Sequence, residues 1–388
     1  MTLPVLARRD VLALGLGAGA SLALPRAARA ALGGNVLVLI ELNGGNDGLN
    51  TVVPHADRAY RRARPKLALG RDEVLPLDER RGLNKALAPL MPLWSGGELA
   101  LVEGVGYAPP NRSHFRSIEI VETADAETFR DRGWIAGALA ETGAAGLDAD
   151  GVVLGGPPGP LAGPQARTIV MHDPDRFLRV AERLSDGAHA SGPAALRHVL
   201  AVRQQIHDAA GAIGERLAAT PAPAVDFPPG VIGRQLAVAA RLIAAGLPVA
   251  ALKLRQSGYD THARQRGTHD RLLGQLAQGL AAFRAALVAS GTWRRTLVMT
   301  YAEFGRRVAE NGSGGTDHGT AAPHFVLGGR VRGGLYGAPP SLDDLDGGDL
   351  RHTTDVRRMY ATAVEGWWEL PAAPATLGNG RPLDLLRV

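Results

Sequence analysis

The sequence predicts an α/β fold with a mostly parallel sheet and helices on both faces. Two observations predict it. Short apolar runs typical of buried strands alternate with segments of helical periodicity along the whole chain of 388 residues, as they do in α/β proteins. The first run, Asn35–Leu42, is of the apolar type found in parallel strands that are covered on both faces.

The remaining elements follow in chain order from the same patterns. Further strands are predicted at Leu99–Glu103, Val152–Leu154, Thr168–Met171, Val249–Leu254, Thr296–Tyr301 and Phe325–Leu327. Helices are predicted at Leu83–Trp94 (interrupted by Pro89 and Pro92), Leu196–Ala219, Val231–Ala245 and a segment from Leu272 to Leu287 with one apolar face. The arginine-rich stretch from Asp57 to Arg81 is expected at the surface. The Pro/Gly-rich segments at 155–165 and 220–230 are interpreted as loops, so residues 31–388 are predicted to form one domain.

Composition excludes several classes of site and partner. The chain has no cysteine, which excludes disulfides, thiolate zinc sites, iron–sulfur clusters and a cysteine nucleophile. Its net charge is +5, but no block of like charges marks a nucleic-acid groove. We therefore expect no nucleic-acid partner.

Residues 1–30 are predicted to be a secretory signal peptide of the twin-arginine type. The pair Arg8-Arg9 precedes an apolar run, Val11–Leu24, and Ala28-Arg29-Ala30 matches a small-x-small cleavage site. The alternative is an uncleaved membrane anchor, although the run is shorter than the ~20 residues that span a bilayer. We expect a periplasmic or extracellular protein with no stable membrane span, since no other segment looks long and apolar enough.

Polar, glycine-rich clusters follow three of the predicted strands. In an open α/β sheet, the carboxyl ends of parallel strands form the edge where ligands bind. Aspartate and histidine at close spacing in such loops are suited to a divalent cation. The candidate ligands are Asp47 after the first strand, Asp260 and His262 after Val249–Leu254, and Asp317 and His318 after Thr296–Tyr301. The alternative is a set of ordinary turns, because Asn-Asp-Gly is a common turn sequence.

A fourth cluster, Asn111-Arg112-Ser113-His114, follows the strand Leu99–Glu103. Ser113 is a candidate nucleophile, activated by a metal or a base, and Arg112 is a candidate to hold an anionic substrate. The alternative is that Ser113 is the N-cap of a helix, whose free N–H groups would also favour an anion. His114 is a poor base for Ser113, because adjacent residues on a helix do not face each other.

Six segments carry a resemblance to a known family. They are GGNDGLNTVVP (Gly44–Pro54), NRSHFRS (Asn111–Ser117), GYDTHARQ (Gly258–Gln265), AEFGRR (Ala302–Arg307), ENGSGGTDHGTAAPHFVLGG (Glu310–Gly329) and TTDVRRMYA (Thr353–Ala361). With these motifs the chain resembles the DUF1501 family of bacterial proteins of unknown function, within the alkaline phosphatase/sulfatase superfamily. The resemblance runs from about Asn35 to Trp368.

The resemblance implies a doubly wound, alkaline phosphatase-like fold that holds one or two divalent ions (zinc, calcium, magnesium or manganese) at the carboxyl ends of the strands. The residues that match the superfamily's ligands and nucleophile are Asp47, Asp260, His262, Asp317, His318 and Ser113. Glu41 competes with Asp47 for the ligand position after the first strand.

The sequence does not decide whether several neighbouring residues belong to the site. Glu303 is a candidate ligand or supporting carboxylate, and His114 and His324 are candidates to complete the site. Asn43 stands where the resemblance leads us to expect an arginine, and this departure would weaken anion binding there.

The resemblance predicts an exported, metal-dependent hydrolase of phosphate or sulfate esters that acts on a small anionic substrate. The alternative is an exported metal-binding protein without turnover that acts with a partner, for which an exported protein of the DUF1800 family is the candidate. Ser113 distinguishes the two predictions. A hydroxyl within hydrogen-bonding reach of the metal cluster favours catalysis, and a hydroxyl that only caps a helix facing elsewhere favours binding.

Overall fold

The structure is a computed structural model that describes residues 32, 34–144, 147–171, 178, 210–211 and 213–387. Its strands are β1 (Val36–Asn43), β2 (Val52–Val53), β3 (Val74–Pro76), β4 (Gly82–Asn84), β5 (Leu99–Gly106), β6 (Ala149–Val153), β7 (Thr168–Val170), β8 (Val249–Ser257), β9 (Thr296–Tyr301), β10 (Ala322–Gly328), β11 (Gly334–Tyr336), β12 (Leu345–Asp346), β13 (Asp349–Leu350) and β14 (Thr354–Asp355). Its α-helices are Arg58–Ala63, Met91–Ser95, His114–Thr123, Trp134–Glu141, Val231–Ala244, Gln265–Ala289, Val356–Ala361 and Pro374–Leu377. Short 3₁₀ helices lie at Gly48–Asn50, Arg71–Glu73, Lys85–Leu90, Gly159–Leu161 and Trp293–Arg295, and a π-helical turn lies at Thr362–Trp367.

Among the described residues, nine strands form one sheet in the order β11-β5-β10-β9-β1-β8-β6-β7, with β14 beside β5. β1 lies inside the sheet and pairs in parallel with β8 and β9, and β6 and β7 extend the parallel pairing beyond β8. Within this sheet of the described chain, β10 alone runs antiparallel to its neighbours, between β9 and β5. The strand order runs outwards in both directions from β1, which confirms the predicted doubly wound, mostly parallel α/β fold.

Alternate side chains of β1 enter two separate cores, because successive residues of a strand point to opposite faces. Val38 lies in the core that includes the helices Val231–Ala244 and Gln265–Ala289. Leu39 lies in the opposite core, which includes the helix Trp134–Glu141. Both faces of the sheet are therefore covered by helices, as predicted.

The loops that follow β1 and β8 lie together at the carboxyl edge of the sheet. The backbone N–H of Tyr259 donates to the carbonyl oxygen of Asn43 at 3.1 Å, which joins the two loops. Gly44 has a φ of +112°, and a Cβ at this position would lie 2.3 Å from the backbone nitrogen of Asp260. Glycine is required here because the two backbones are too close to admit a side chain.

Most predicted elements are present, with shifted ends. All seven predicted strands and the helices at 231–245 and 272–287 are confirmed. The predicted helix Leu83–Trp94 is wrong in part: it begins as β4, continues as a 3₁₀ helix and ends in a short α-helix, since Pro89 and Pro92 cannot donate the hydrogen bonds of a continuous α-helix. The predicted helix Leu196–Ala219 lies largely outside the described residues, as does the predicted signal peptide at 1–30.

The arginine-rich stretch from Asp57 to Arg81 does not lie wholly at the surface. Tyr60 and Arg64 are fully buried. Arg64 donates from Nη1 to Asp47 Oδ2 at 2.6 Å and from Nε to the carbonyl oxygen of Val308 at 2.8 Å. The expected surface location is wrong for these two residues, because an arginine whose donors are all paired can be accommodated in the interior.

By length and composition alone, one helix in the part of the chain that the structure describes qualifies as a membrane span. The helix Gln265–Ala289 has 25 residues and a window of mean hydropathy 1.4, half of which is buried inside the protein. Leu273, Leu276 and Phe283 of this helix lie in the core. The expectation that no segment after the first 30 residues is long and apolar enough is therefore wrong by this measure, although the apolar side chains are buried as in a core helix.

Candidate metal centre

Four side chains meet at the carboxyl edge of the sheet: His114, Asp260, His262 and His318. His114 is the first residue of the helix His114–Thr123, which follows β5. Asp260 and His262 lie in the loop after β8, and His318 lies in the loop between β9 and β10. Three separate strand connections thus contribute to one cluster.

The three histidines present ring nitrogens to a single carboxylate oxygen. Nε2 of His262, Nε2 of His318 and Nε2 of His114 lie 3.0, 3.2 and 3.5 Å from Asp260 Oδ1. The Nε2 atoms of His262 and His318 are 3.0 Å apart. Nε2 of His114 is buried and has no hydrogen-bond partner among the described residues. One ligand atom from each of His114, Asp260 and His318 lies within 4.8 Å of the other two, close enough to hold a metal ion. Nε2 of His262 lies 3.0 Å from Asp260 Oδ1 and 3.0 Å from Nε2 of His318, and adds a fourth potential ligand beside this group.

The second ring nitrogen of each histidine contacts an oxygen atom. The contacts of Nδ1 are Glu303 Oε1 at 2.7 Å for His114, Asp317 Oδ1 at 3.1 Å for His262, and the carbonyl oxygen of Arg112 at 2.9 Å for His318. Carboxylate and carbonyl oxygens only accept, so a hydrogen on each Nδ1 satisfies these contacts and leaves a lone pair on each Nε2. The carboxylate of Asp260 equally accepts from Nε2 of His262 or His318 in a ring that carries a hydrogen there. Oxygen partners of this kind orient histidines at metal sites.

Arg306, which the sequence analysis did not single out, joins the loops around the cluster. Its side chain is fully buried and donates to Asp260 Oδ1 at 2.6 Å, to the carbonyl oxygen of Thr316 at 2.9 Å and to that of Gly45 at 2.8 Å. Burial tends to raise the pKa of Asp260, but the hydrogen bond and charge of Arg306 outweigh it and hold that pKa below its ordinary value. Asp260 therefore presents an ionised carboxylate to the three histidines. The only sequence signal for Arg306 was its place in the AEFGRR motif.

Glu303, left open by the sequence, supports His114. Its side chain is 1% exposed, and Oε1 accepts from the backbone N–H of Gly44 at 3.0 Å as well as from His114. Its carbonyl oxygen accepts from the hydroxyl of Ser117, on the helix that His114 begins. Glu303 thus contacts the cluster through the Nδ1 side of His114 and fixes the plane of that ring.

Two of the predicted ligands have contacts outside the cluster. Asp317 contacts Nδ1 of His262, the ring atom that points away from Asp260, and accepts from Asn311 Nδ2 at 3.1 Å. Asp47 is fully buried, with Oδ2 bonded to Arg64 and to Gln265. The charge of Arg64 already compensates Asp47. Asp317 thus contacts His262 from outside the cluster, and Asp47 forms a separate buried ion pair with Arg64; neither is among the four side chains that meet at Asp260 Oδ1.

Ser113 occupies the N-cap position of the helix His114–Thr123, but its hydroxyl makes no capping hydrogen bond. The residue is exposed, and its backbone N–H donates to Asn111 Oδ1 at 2.9 Å. No hydrogen bond joins its hydroxyl to any residue that the structure describes. Neither arrangement expected from the sequence, a cap or a bond to the cluster, is therefore present.

Arg112 borders a cavity of 470 Å³ next to the cluster. Its Nη1 donates to Asp349 Oδ2 at 3.0 Å, and 53% of its side chain is exposed. Phe304 lines the same cavity and packs on His318, with ring centroids 4.7 Å apart. The cavity therefore adjoins the histidines, and one edge of the Arg112 guanidinium is held by a carboxylate while other donors face outwards.

Glu41 and His324, also left open by the sequence, have other partners. Glu41 Oε2 accepts from the buried ammonium of Lys253 at 2.8 Å. His324 is buried on β10, where Nδ1 lies 3.4 Å from Thr300 Oγ1. Among the contacts of the described residues, neither side chain reaches the four-residue cluster.

The burial of His324 predicts a specific acid sensitivity. Burial lowers the pKa of His324 from 6.5 to about 4, so below pH 6.5 the unfolded chain takes up a proton that the folded protein excludes. The stability that the neutral ring contributes is complete above pH 6.5 and is lost as the pH falls towards 4. When the pH is lowered from 7.5 to 5, the free energy of unfolding of the wild type should therefore fall by about 2 kcal/mol more than that of His324→Leu.

Urea unfolding at the two pH values measures this difference. His352→Leu is the control for replacing a histidine that is only partly buried. Parallel pH profiles for His324→Leu and the wild type would contradict the prediction.

Together these features define an α/β protein with three histidines and one aspartate clustered at the carboxyl edge of its sheet. The family model described as "Protein of unknown function (DUF1501)" matches residues 168–367, just over half of the chain. The chain belongs to the DUF1501 family, as its motifs predicted. The matched segment contains Asp260, His262 and His318, and His114 precedes it.

Solved structures are similar to the chain at low sequence identity. A sulfatase from Pseudoalteromonas sp. is 10% identical with a TM-score of 0.40, over 93% of this chain and 76% of that one. A protein in the alkaline phosphatase superfamily from Vibrio parahaemolyticus is 12% identical with a TM-score of 0.41, over 90% and 70%. The C-terminal periplasmic domain of EcEptC from Escherichia coli, in complex with zinc, is 9% identical with a TM-score of 0.39, over 87% and 82%. No curated protein matches the chain.

Proposed function

We propose that this protein is a metal-dependent hydrolase of phosphate or sulfate esters that works outside the cytoplasm. In this proposal His114, Asp260, His262 and His318 hold one divalent ion, Arg112 holds the anionic group of the substrate, and Ser113 is the nucleophile. Asp317 and Glu303 orient two of the histidines.

The observation that carries the proposal is the convergence of three imidazole nitrogens on one carboxylate oxygen, Asp260 Oδ1. When the Nδ1 atoms of the three histidines carry the hydrogens, the Nε2 lone pairs of His262 and His318 face each other at 3.0 Å and also face Asp260 Oδ1. Lone pairs at this distance repel unless a proton or a metal ion lies between them. The buried, unpaired Nε2 of His114 points to the same requirement.

The spacing of these atoms supports a small cation. Ligands about 2.0–2.1 Å from a tetrahedral zinc ion lie roughly 3.3 Å from one another. The separations of Asp260 Oδ1 from the three Nε2 atoms, and of the Nε2 atoms of His262 and His318 from each other, lie between 3.0 and 3.5 Å and bracket that value. Three imidazoles and one carboxylate suit zinc better than calcium or magnesium, which prefer six or more oxygen ligands. Of the four ions expected from the sequence, we therefore propose zinc.

Protonation is the competing way to satisfy the cluster. A hydrogen on Nε2 of His318 would form a hydrogen bond to Nε2 of His262 or to Asp260. Burial lowers the pKa of His318, so the ring favours its neutral form, in which Nε2 keeps a lone pair when Nδ1 donates to the carbonyl oxygen of Arg112. A neutral ring is also the form that binds a metal.

The cluster and the cavity beside it match the needs of ester hydrolysis. A bound divalent ion supplies Lewis acidity towards an ester oxygen and favours ionisation of a nearby hydroxyl. Arg112 has one guanidinium edge held by Asp349, and its remaining donors can form paired hydrogen bonds with a phosphate or sulfate group. The 470 Å³ cavity then accommodates the rest of a small anionic substrate.

Ser113 is the proposed nucleophile because its hydroxyl is free to react. It is adjacent in sequence to His114, and its hydroxyl is neither buried nor engaged by another described residue. In this proposal Ser113 Oγ forms a bond to phosphorus or sulfur while the bond to the ester oxygen breaks. The serine proton passes to that departing oxygen, and water later releases the acid from the serine.

The location and the partners belong to the same proposal. Export is supported by Arg8-Arg9 and the apolar run that follows, and we propose a periplasmic or extracellular protein without a stable membrane span. The small anionic ester is the proposed substrate. The exported partner of the DUF1800 type and the absence of a nucleic-acid partner stay predictions.

The test begins with elemental analysis of protein folded in the cell and purified without chelator. We expect about one equivalent of zinc, and turnover of phosphate or sulfate monoesters that is lost on chelation and recovered with zinc. Metal without turnover on either ester class would favour the alternative, an exported metal-binding protein. Protein that neither carries nor takes up a divalent ion would contradict the proposal.

A further inference from the structure

We infer that Gln265 is a positioning residue for the candidate metal centre. With Asp47 on one side and two threonines on the other, it fixes the two loops that carry Asp260, His262 and His318. The inference rests on the proposed metal site, and it assigns a role to Asp47, which the sequence predicted as a ligand.

Gln265 uses both ends of its amide to join separate loops. It is fully buried at the start of the helix Gln265–Ala289. Its Oε1 accepts from Thr316 Oγ1 at 2.6 Å and from Thr261 Oγ1 at 3.0 Å. Its Nε2 donates to Asp47 Oδ2. One side chain therefore connects the loops after β1, β8 and β9.

The two threonines adjoin the candidate ligands. Thr261 separates Asp260 from His262, and Thr316 lies two residues before His318. The backbone N–H of Thr316 donates to the carbonyl oxygen of Thr261 at 3.2 Å, so the two loops pair at these residues. The hydroxyl bonds to Gln265 add a second connection at the same point. Loss of these hydroxyl bonds would let the loops that carry His262 and His318 move apart.

Asp47 decides which way the amide of Gln265 points. Burial tends to raise the pKa of Asp47, but the charge and the hydrogen bond of Arg64, 2.6 Å away, hold that pKa below its ordinary value. An ionised carboxylate only accepts hydrogen bonds, so it must face Nε2 of Gln265. Oε1 is then left to accept from Thr261 and Thr316. Without Asp47, the amide would have no reason to keep this orientation.

The cost of this arrangement points to a role beyond stability. Asp47 Oδ1 is buried with no hydrogen-bond partner among the described residues, and an unpaired buried acceptor lowers stability. Buried ion pairs such as Asp47–Arg64 often add little net stability compared with apolar residues. The orientation of the Gln265 amide explains why a charged aspartate is kept at this buried position.

The experiment measures zinc affinity of the purified protein by competition with a chelating dye. Gln265→Glu places a second carboxylate against Asp47 and should weaken zinc binding about 10–100-fold, the range found for residues that orient metal ligands. A simple electrostatic effect of the added negative charge would strengthen zinc binding instead. The sign of the change therefore separates the two explanations.

A charge swap supplies the rescue. In the double variant Asp47→Asn with Gln265→Glu, the glutamate oxygens can still accept from Thr261 and Thr316, and the asparagine amide can donate to the glutamate. The asparagine then no longer accepts from Arg64, whose Nη1 keeps the side-chain oxygen of Asn50 as its acceptor. Zinc affinity should return to within about threefold of the wild type, because the interaction energy of the contacting pair is restored. If Gln265→Glu does not fold, Thr316→Val removes one of the two hydroxyl bonds and should weaken zinc about tenfold.

Gln235 is the matched control. It too is buried and uses both ends of its amide, accepting from the backbone N–H of Arg255 at 2.8 Å and donating to the carbonyl oxygen of Arg255 at 3.1 Å. Gln235→Glu should lower the free energy of unfolding and leave zinc affinity as in the wild type. A similar loss of zinc affinity in this variant would make the Gln265 effect a general consequence of disturbing a buried amide.

A second readout needs no metal. The imidazole ¹⁵N signals of His262 and His318 in metal-free protein should shift in Gln265→Glu and return in the double variant. Unchanged zinc affinity in Gln265→Glu, or a swap that restores neither affinity nor signals, would overturn the inference. If the wild type binds no zinc, the proposed metal site fails, while the imidazole signals still show whether Gln265 orients the two rings.

Discussion

Replacing Asp260 with asparagine is expected to weaken zinc binding at least about 1000-fold, since loss of a ligand should exceed the 10–100-fold cost of losing a residue that only orients one. Asparagine keeps the shape of the side chain and an oxygen that can accept from Arg306, so the loop should stay in place. What it removes is the negative charge that faces His114, His262 and His318. Competition titration with a chelating dye measures the loss.

Asp317→Asn is the matched control, in the neighbouring loop. Its side-chain oxygen still accepts from Nδ1 of His262, so zinc affinity should fall no more than about tenfold. Equal losses in the two variants would return Asp317 to the ligand set that the sequence predicted. Full zinc affinity in Asp260→Asn would remove Asp260 from the site.

Ser113→Ala is expected to lower ester turnover at least about 1000-fold, as removal of a nucleophile does. Zinc content should stay at the wild-type level, because the hydroxyl has no contact with the cluster. Removing a helix-capping serine costs about 1 kcal/mol, but this hydroxyl makes no capping bond. The free energy of unfolding should therefore change by no more than about 0.5 kcal/mol.

Turnover, zinc content and urea unfolding are measured on the same preparation. Ser290→Ala, at the end of the helix Gln265–Ala289, is the control for a serine remote from the cluster and should keep full turnover. A Ser113→Ala protein with wild-type turnover would show that Ser113 is not the nucleophile. A protein that loses stability as well would show that Ser113 is a cap after all.

The sheet could be predicted from the sequence because its strands are short apolar runs bounded by glycine-rich loops. Thr296–Tyr301 was predicted to the residue. The antiparallel direction of β10 could not be predicted, since an apolar run has no direction of its own. The burial of Arg64 could not be predicted either, because a single buried arginine within an arginine-rich surface segment leaves no periodic signal.

Part of the candidate site could also be predicted from the sequence. Asp260, His262 and His318 stood out because each follows a strand in a glycine-rich loop, where a histidine is unusual. His114 follows β5 in the same way, but the sequence analysis assigned the chemistry of this segment to Ser113 as nucleophile and left His114 only as a candidate to complete the site. The available signal was the position of His114 after a strand, which it shares with the other three residues.

The residues that position the candidate ligands could not be predicted from the sequence. Arg306 and Gln265 act through several hydrogen bonds to loops far apart in sequence, and no local spacing indicates such contacts. Asp47 shows the converse difficulty. It follows a strand as the ligands do, but the loop turns it towards Arg64, and only the three-dimensional path of the chain reveals that partner.

A crystal structure of the zinc-loaded protein, with anomalous data collected on both sides of the zinc edge, tests the central claim most directly. The account predicts one anomalous peak, bound by Nε2 of three histidines and one oxygen of Asp260 at about 2.0–2.2 Å. The histidines are His114, His262 and His318. A peak bound by Asp47 or Asp317 in place of these residues, or no peak at the carboxyl edge of the sheet, would contradict it.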